Sequence, residues 1–330
     1  MKWLKRVVYL LAFLVIAGAA AWVLGPRVPR DTTISFDAAA IGHDVDAYLA
    51  AEESRFSDIR DGLQKQIVWS FPESRAKTPF SIVYVHGFSA SLGEIRPVPD
   101  IVAERFGANI FYTRLAGHGR SGDAMLDGSV NGWVNDVVEA IEIGRRIGDT
   151  VILMATSTGG ALSAWATAQP QLAKGIAGLA VISPNFALKD GNAFVLSMPW
   201  GGTIAELVVG KERSFETMND AHAALWTWKY PTRALLPMKA AVDLAREQRY
   251  SAVTVPALFI FDPDDQVVDE TVTQQIMERW GGPTTYFEPA GNGDPSHHVV
   301  AGDAISPSTT QPTVDAITDW LEGLGYQRVD

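Results

Sequence analysis

VILMATSTGG, residues Val151 to Gly160, decides how the chain is read. An apolar, β-branched run stops at a serine set among small residues, and the following ALSAWATAQ reads as a helix. A strand that turns directly into a helix with Ser157 at the apex pushes the hydroxyl clear of the backbone, as a nucleophile requires. The turn holds the serine in a strained conformation, and small neighbours must let strand and helix approach closely. Ala155, Gly159 and Gly160 supply that smallness. The pattern is G-x-S-x-G with Ala155 at the first glycine, where low bulk is the main requirement. An ordinary turn capped by serine is the competing reading, since Ser is a favoured N-cap, so the surrounding chain must decide.

On either side the chain alternates. Strand candidates are GLQKQIVWSF, PFSIVYVHGF, NIFYTRLAGHG, IAGLAVISP, VPALFIFDP and TTYFEP. Between them Ile95–Phe106, Val130–Ile147, TVTQQIMERW and PTVDAITDWLEGL have helical spacing, with Trp133, Val137, Val138, Ile141 and Ile147 set to face a sheet. Alternation predicts an α/β fold with a mostly parallel sheet and helices on both faces. Sites in such sheets lie at the carboxyl ends of strands, and His86, His118, Ser157 and Asp265 each follow a strand candidate. The alternation breaks between Pro184 and Val253, where helical pieces and large apolar residues occur with no clear strand. An inserted helical cap is the economical reading. It divides the body into a first core part at 31–184, a cap at 185–253 and a second core part at 254–330. Phe194, Met198, Trp200, Trp226, Trp228, Tyr230 and Met238 are the cap's large apolar residues. Met198, Trp200, Trp226 and Trp228 are the candidates to line a substrate pocket, against the alternative that they only pack the cap to the sheet.

Residues 1–30 carry five bases and no acid, and Val7–Gly25 is an uncharged apolar run. As a helix its 19 residues would span about 28 Å, close to the ~30 Å of a bilayer's hydrocarbon. The basic flank orients the amino end to the cytoplasm and the body to the outer side of the inner membrane. An uncleaved single-pass anchor is the favoured reading, because an h-region is usually shorter; a cleaved signal, releasing a periplasmic or secreted body, is the rival. Asp31–Ile59 is polar, with a helix-like piece that serves as a brace or a spacer. The remaining residues hold 22 bases against 38 acids, a net charge of −16, which repels phosphate backbones and argues against nucleic-acid binding. No cysteine is present, so disulfides, thiolate catalysis and cysteine zinc sites are excluded.

A serine hydroxyl needs a base to take its proton and a carboxylate to orient that base. Hydrolases of this layout carry the three in the order Ser, acid, His. Of the six histidines, that order leaves His297 and His298 in GNGDPSHHVV, directly after a strand candidate. The acid falls in DPDDQVVD, where Asp262, Asp264, Asp265 and Asp269 compete and most are expected to be a solvated acidic turn. No regular calcium-ligand spacing follows, and the scheme asks for no metal and no cofactor. Oxyanion donors are expected from the backbone amides of Thr158, after the nucleophile, and Phe88, in the His86-Gly87-Phe88 turn. His86 and His118 are then structural.

VYVHGF, RLAGHGRSG, ATSTGG, FDPDDQVV and SHHVV, in that order over about residues 65–325, together resemble the α/β-hydrolase superfamily. They are most similar to its monoacylglycerol lipase, lysophospholipase and carboxylesterase branch, grouped with serine aminopeptidase-type hydrolases. The resemblance implies that the acid of a G-x-x-D-x-V-V motif is Asp265, with Asp262 at the motif's glycine. It also implies that the base is His298, which two apolar residues follow. The expected protein is a membrane-tethered serine ester hydrolase, with Ser157, Asp265 and His298 as its triad. The apolar cap and the membrane placement suggest a lipophilic acyl ester such as a monoglyceride or lysolipid. The same machinery serves thioesterases, amidases, acyltransferases and carbon–carbon bond hydrolases, and a non-catalytic protein binding a hydrophobic ligand is the reading from another class.

Overall fold

Apolar runs bounded by turns become strands β1 (Gln66–Val68), β2 (Thr78–Val85), β3 (Asn109–Tyr112), β4 (Gly148–Thr156), β5 (Ile176–Ile182), β6 (Glu212–Ser214), β7 (Lys229–Pro231), β8 (Ala257–Ile260) and β9 (Thr284–Phe287). The helices are α1 (Lys2–Leu24), α2 (Val45–Glu53), α3 (Val98–Phe106), α4 (Val130–Ile147), α5 (Ser157–Thr167), α6 (Pro170–Ala173), α7 (Gly201–Val209), α8 (Asp220–Leu225), α9 (Leu235–Arg246), α10 (Glu270–Glu278) and α11 (Pro307–Gly323). These come from a computed structural model describing residues 2–329.

Seven strands form one sheet in the order β1-β3-β2-β4-β5-β8-β9. Only β1 runs antiparallel, at an edge; β2, β3, β4, β5, β8 and β9 are mutually parallel. The period-2 alternation of side chains splits each strand between two cores. Val83, Val85 and Leu153 face α4, α5 and α9, with Trp133, Val137 and Val242 opposite them. Ile82, Tyr84 and Met154 face α3 and α11, against Val102, Ile317 and Leu321. Each such fully buried aliphatic or aromatic side chain contributes roughly 1.5–3 kcal/mol. Helix α4 starts where Ser129 accepts from the Gly132 amide and stops at Gly148, and its 18 residues keep one apolar face on the sheet.

The body's first segment is a brace. Asp44 caps α2, and Ile41, Val45 and Leu49 enter the core beside α4. The buried Glu53 takes two bonds from the Arg114 guanidinium, at 2.7 and 2.9 Å.

The segment expected to be a strand-free cap contains the antiparallel pair β6 and β7. Three residues each are too few to show a periodicity. Its last helix, α9, is part of the core layer: Ala241, Val242 and Ala245 are buried along α5. Helix α1 is 23 residues long and exposed along its length, and spans about 35 Å at ~1.5 Å per residue.

Candidate active site

Ser157 stands where β4 becomes α5, with φ +52°. A β-branched strand cannot enter a helix this abruptly without one residue in the left-handed region, and the serine bears that strain. Gly159 shows why smallness is needed next to it: a Cβ there would run into the carbonyl oxygens of Val85 and His86. The elbow thus leans directly on the end of β2.

Two loops meet Ser157 there. His298, in the loop after β9, has Nε2 3.0 Å from Ser157 Oγ. Its Nδ1 lies 2.8 Å from Asp265 Oδ2, in the loop after β8. Asp265 has no solvent exposure, and its Oδ1 accepts from the Val267 and Val268 amides at 2.7 and 2.9 Å. A carboxylate only accepts, so Nδ1–H donates to Asp265 and leaves Nε2 free to accept from the serine hydroxyl. Burial opposes a charge on the imidazole, but Asp265, helped by Asp294 and Glu94, outweighs it and holds the pKa above 6.5.

The neighbouring histidine forms a second, outer pair. His297 Nδ1 lies 2.9 Å from Asp262 Oδ2, with 40 % of the histidine side chain exposed. Asp262, expected among the solvated turn residues, is instead buried. It accepts from Asn292 Nδ2 at 2.6 Å and the Asp264 amide at 2.8 Å. Because it bonds both loops, it ties the one carrying His298 to the one carrying Asp265. Asp264 is exposed, and Asp269 caps α10.

Sequence reasoning missed two groups. Asp294 is the hub of the histidine loop: it accepts from the amides of Ser296, His298 and Val299 at 2.9, 3.1 and 2.7 Å. Burial alone would raise its pKa, but these bonds hold it below the usual carboxylate value. An acid three residues before a histidine pair was its only signal. Glu94, 3 % exposed, accepts from the Gly87 amide at 2.6 Å and the Tyr84 hydroxyl at 2.7 Å. That hydroxyl also lies 2.9 Å from Thr156 Oγ1, one residue before the nucleophile. Glu94 therefore joins the turn after β2 to the elbow after β4, and burial pushes its carboxyl up to about 7. No motif announces it.

Phe88 and Thr158 both border the cavity above Ser157. Thr158 lies in the first turn of α5, where helix geometry provides no acceptor for an amide. Among the described residues the Phe88 amide has no backbone acceptor. His86 and His118 sit behind this turn. His86 Nδ1 donates to Gly87 O at 2.9 Å while Nε2 accepts from the Leu115 amide at 3.1 Å. Burial depresses His86 to about 4 and His118 well below its ordinary value, so both are neutral struts.

The cavity has a volume of about 790 Å³. Its floor is Ser157, Thr158 and His298, and its roof includes Leu196, Ile204 and Val208. Of the pocket candidates Trp226 lines it, as do Tyr230 and Met238, whereas Met198, Trp200 and Trp228 do not. Trp200, left-handed at φ +63°, turns its indole to the carbonyl of Ala21 at 3.0 Å. Trp228 precedes β7 and is exposed, lining a separate shallow groove beside Ser214 and Thr217. Met198 lies at the end of a short 3-10 turn. Among the described residues no cluster of metal-ligating side chains occurs.

A parallel sheet with a serine elbow, and a histidine and an acid from later loops, defines an α/β-hydrolase fold. The family model described as serine aminopeptidase, S33, matches residues 77–287, and the chain belongs to that family. A thermostable monoacylglycerol lipase of Bacillus sp. (strain H-257) is 25% identical over 192 residues, 58% of this chain and 72% of that one. Among solved structures, one from work on two metagenome-derived lipolytic enzymes, LipS and LipT, superposes with a TM-score of 0.63 at 19% identity. It covers 80% of this chain and 99% of its own. A soluble variant of monoglyceride lipase from Saccharomyces cerevisiae, in complex with a substrate analog, gives 0.59 at 11% identity, covering 80% and 93%. At these identities the superpositions speak for the fold alone.

Proposed function

We propose that the protein is a membrane-tethered serine hydrolase that cleaves lipophilic carboxylic esters, of the monoglyceride or lysolipid kind, through an acyl-enzyme on Ser157. The observation that carries this reading is the hydrogen-bonded chain Ser157–His298–Asp265 opening into a largely apolar cavity beneath the roof. In the reaction His298 Nε2 takes the hydroxyl proton as Ser157 Oγ attacks the acyl carbon, and Asp265 steadies the resulting imidazolium. The Phe88 and Thr158 amides hold the oxyanion, each such donor being worth roughly 10²–10³ in rate. Collapse of the tetrahedral species gives the proton from His298 to the departing alcohol. Water, deprotonated by the same imidazole, then attacks the acyl-enzyme, releasing the acid and restoring Ser157. None of these steps draws on a cofactor or metal.

The lipase name of the Bacillus relative, at 72% coverage of that protein, supports the ester class, and the apolar roof supports a lipophilic acyl group. The exposed, apolar α1 supports a membrane-inserting segment, and its length favours an anchor over a shorter signal h-region. The basic flank of Lys2, Lys5 and Arg6 favours a body on the periplasmic side. The roof is best bounded as residues 185–234, with α9 counted to the core. A panel of esters, thioesters and amides of increasing acyl length tests the reading. Turnover of mid- and long-chain monoacyl esters well above the matched thioesters and amides is expected; preference for a peptide or thioester bond would displace it.

A further inference from the structure

We propose that the outer face of the roof docks into the bilayer beside α1, so that the cavity receives its acyl ester directly from the outer leaflet. The proposal deepens the ester-hydrolase reading and rests on it for the identity of the substrate.

Four observations converge. First, the anchor and the roof are joined. Trp200, the residue before α7, donates its indole N–H to Ala21 O at 3.0 Å, and its amide donates to Pro26 O at 3.0 Å. Gly25 is packed so tightly against Trp200 and Pro199 that a side chain there would collide with both. Second, the anchor marks where the membrane surface lies. Trp3 and Trp22 are exposed near the two ends of α1, about 28 Å apart at ~1.5 Å per residue, and tryptophans favour the two interfaces of a bilayer. Trp200 therefore sits at the outer interface with Trp22. Leu207 is seven residues further along α7, about 10 Å from Trp200.

Third, that end of the roof is apolar and open. Leu207 is 82 % exposed and Val208 76 %, with Val209 and Phe194 also exposed. Leu207, Val208 and Val209 follow one another at the end of α7, and neighbouring exposed apolar side chains mark interaction surfaces. Val208 and Val209 also line the cavity, so the patch is continuous with the rim of the pocket. Fourth, the charge is distributed to suit. Residues 186–234 hold five bases (Lys189, Lys211, Arg213, Lys229, Arg233) and five acids (Asp190, Glu206, Glu212, Glu216, Asp220). The roof is thus neutral on a body of net −16, so it meets an anionic leaflet without the repulsion that the body's net charge would bring.

The absence of cysteine makes the test clean. Full-length Leu207→Cys carries an environment-sensitive fluorophore and is reconstituted in phosphatidylcholine/phosphatidylglycerol vesicles containing brominated acyl chains. Strong quenching and a blue shift are expected at position 207, and neither at Asp319→Cys, an exposed position on α11 in the core. Equal, weak quenching at both positions overturns the docking, whatever the enzyme's activity. Full-length Leu207→Glu, altered outside the cavity lining, should lose tenfold or more kcat/KM on a monoacyl ester embedded in the vesicles. It should stay within about twofold of wild type on a water-soluble butyrate ester. An equal loss on both esters, or none on either, contradicts delivery through this face. If wild type cleaves neither ester, the hydrolase reading fails while the quenching result stands.

Discussion

The floor and the roof of the cavity are built on opposite principles. The floor is a set of short, directional bonds: four from Ser157 through His298 to Asp265 and its two amides, and a further ring around Asp294. The roof is apolar surface fastened at its outer edge by exposed ion pairs such as Glu206–Arg233 and Glu212–Lys229. Hydrogen bonds fix atoms to within a fraction of an ångström, which proton transfer needs. Apolar contact is non-directional and rewards area rather than position. On the proposed mechanism the chemistry falls to the floor, and the choice of acyl group to the roof.

That division sets the order of expected effects. Ser157→Ala and His298→Ala should each lower kcat by roughly 10⁴-fold or more on every ester. His297→Ala, one residue away but facing outward, should cost less than about tenfold, because its bond to Asp262 steadies the loop without touching the serine. Comparable losses at both histidines would merge what the geometry separates.

Gly87→Ala comes next. Its new Cβ would lie 3.1 Å from both Ser157 Cβ and Glu94 Oε2, pushing the Phe88 amide off its line. A misplacement of this kind costs roughly 10²-fold, and steady-state kinetics should show it in kcat with KM little changed. Glu94 and the turn after β2 would prove looser than drawn if the variant kept wild-type rates.

The pH profile sharpens the same contrast. On the proposed mechanism the base works as a neutral imidazole, so the rate should rise with pH as His298 loses its proton. Its pKa is held above 6.5, chiefly by Asp265 against the opposing effect of burial, so the half-maximum should fall above pH 6.5. Asp262→Asn should leave this limb in place. Asp265→Asn removes the chief charge that opposes burial, leaving only the more distant Asp294 and Glu94, so the limb of the residual activity should move to lower pH. A limb that followed Asp262 instead would reassign the pairs.

The smallest effect belongs to the roof. Leu196→Ala should lower kcat/KM for long-chain esters by roughly tenfold or less and leave short-chain esters unaffected. An equal loss on both would mean that Leu196 supports the floor.

What the sequence discloses follows the same line. Directional chemistry demands particular residue types at loop positions, so Ser157, Asp265 and His298 stand out with their spacing, as do the strands that carry them. The buried ties behind them do not. Asp262 reads as part of an acidic turn until His297 and Asn292 are seen beside it. Glu94 and Asp294 are single acids whose partners are backbone amides, which no side-chain pattern records. In the roof, large apolar residues are interchangeable on paper, and direction alone decides which of them meet the cavity. Trp226 turns inward, while Trp200 turns to the anchor and Trp228 to an outer groove. Strands of three residues, and a helix that belongs to the core although it follows the roof without a break, are equally invisible to periodicity.

The most direct measurement is covalent labelling. Wild type treated with a fluorophosphonate and digested should yield a single phosphonylated peptide, modified at Ser157, with labelling at least 10²-fold slower in His298→Ala and unchanged within a few-fold in His297→Ala. An adduct on another residue, or wild-type labelling rates without His298, would contradict a serine activated by that imidazole.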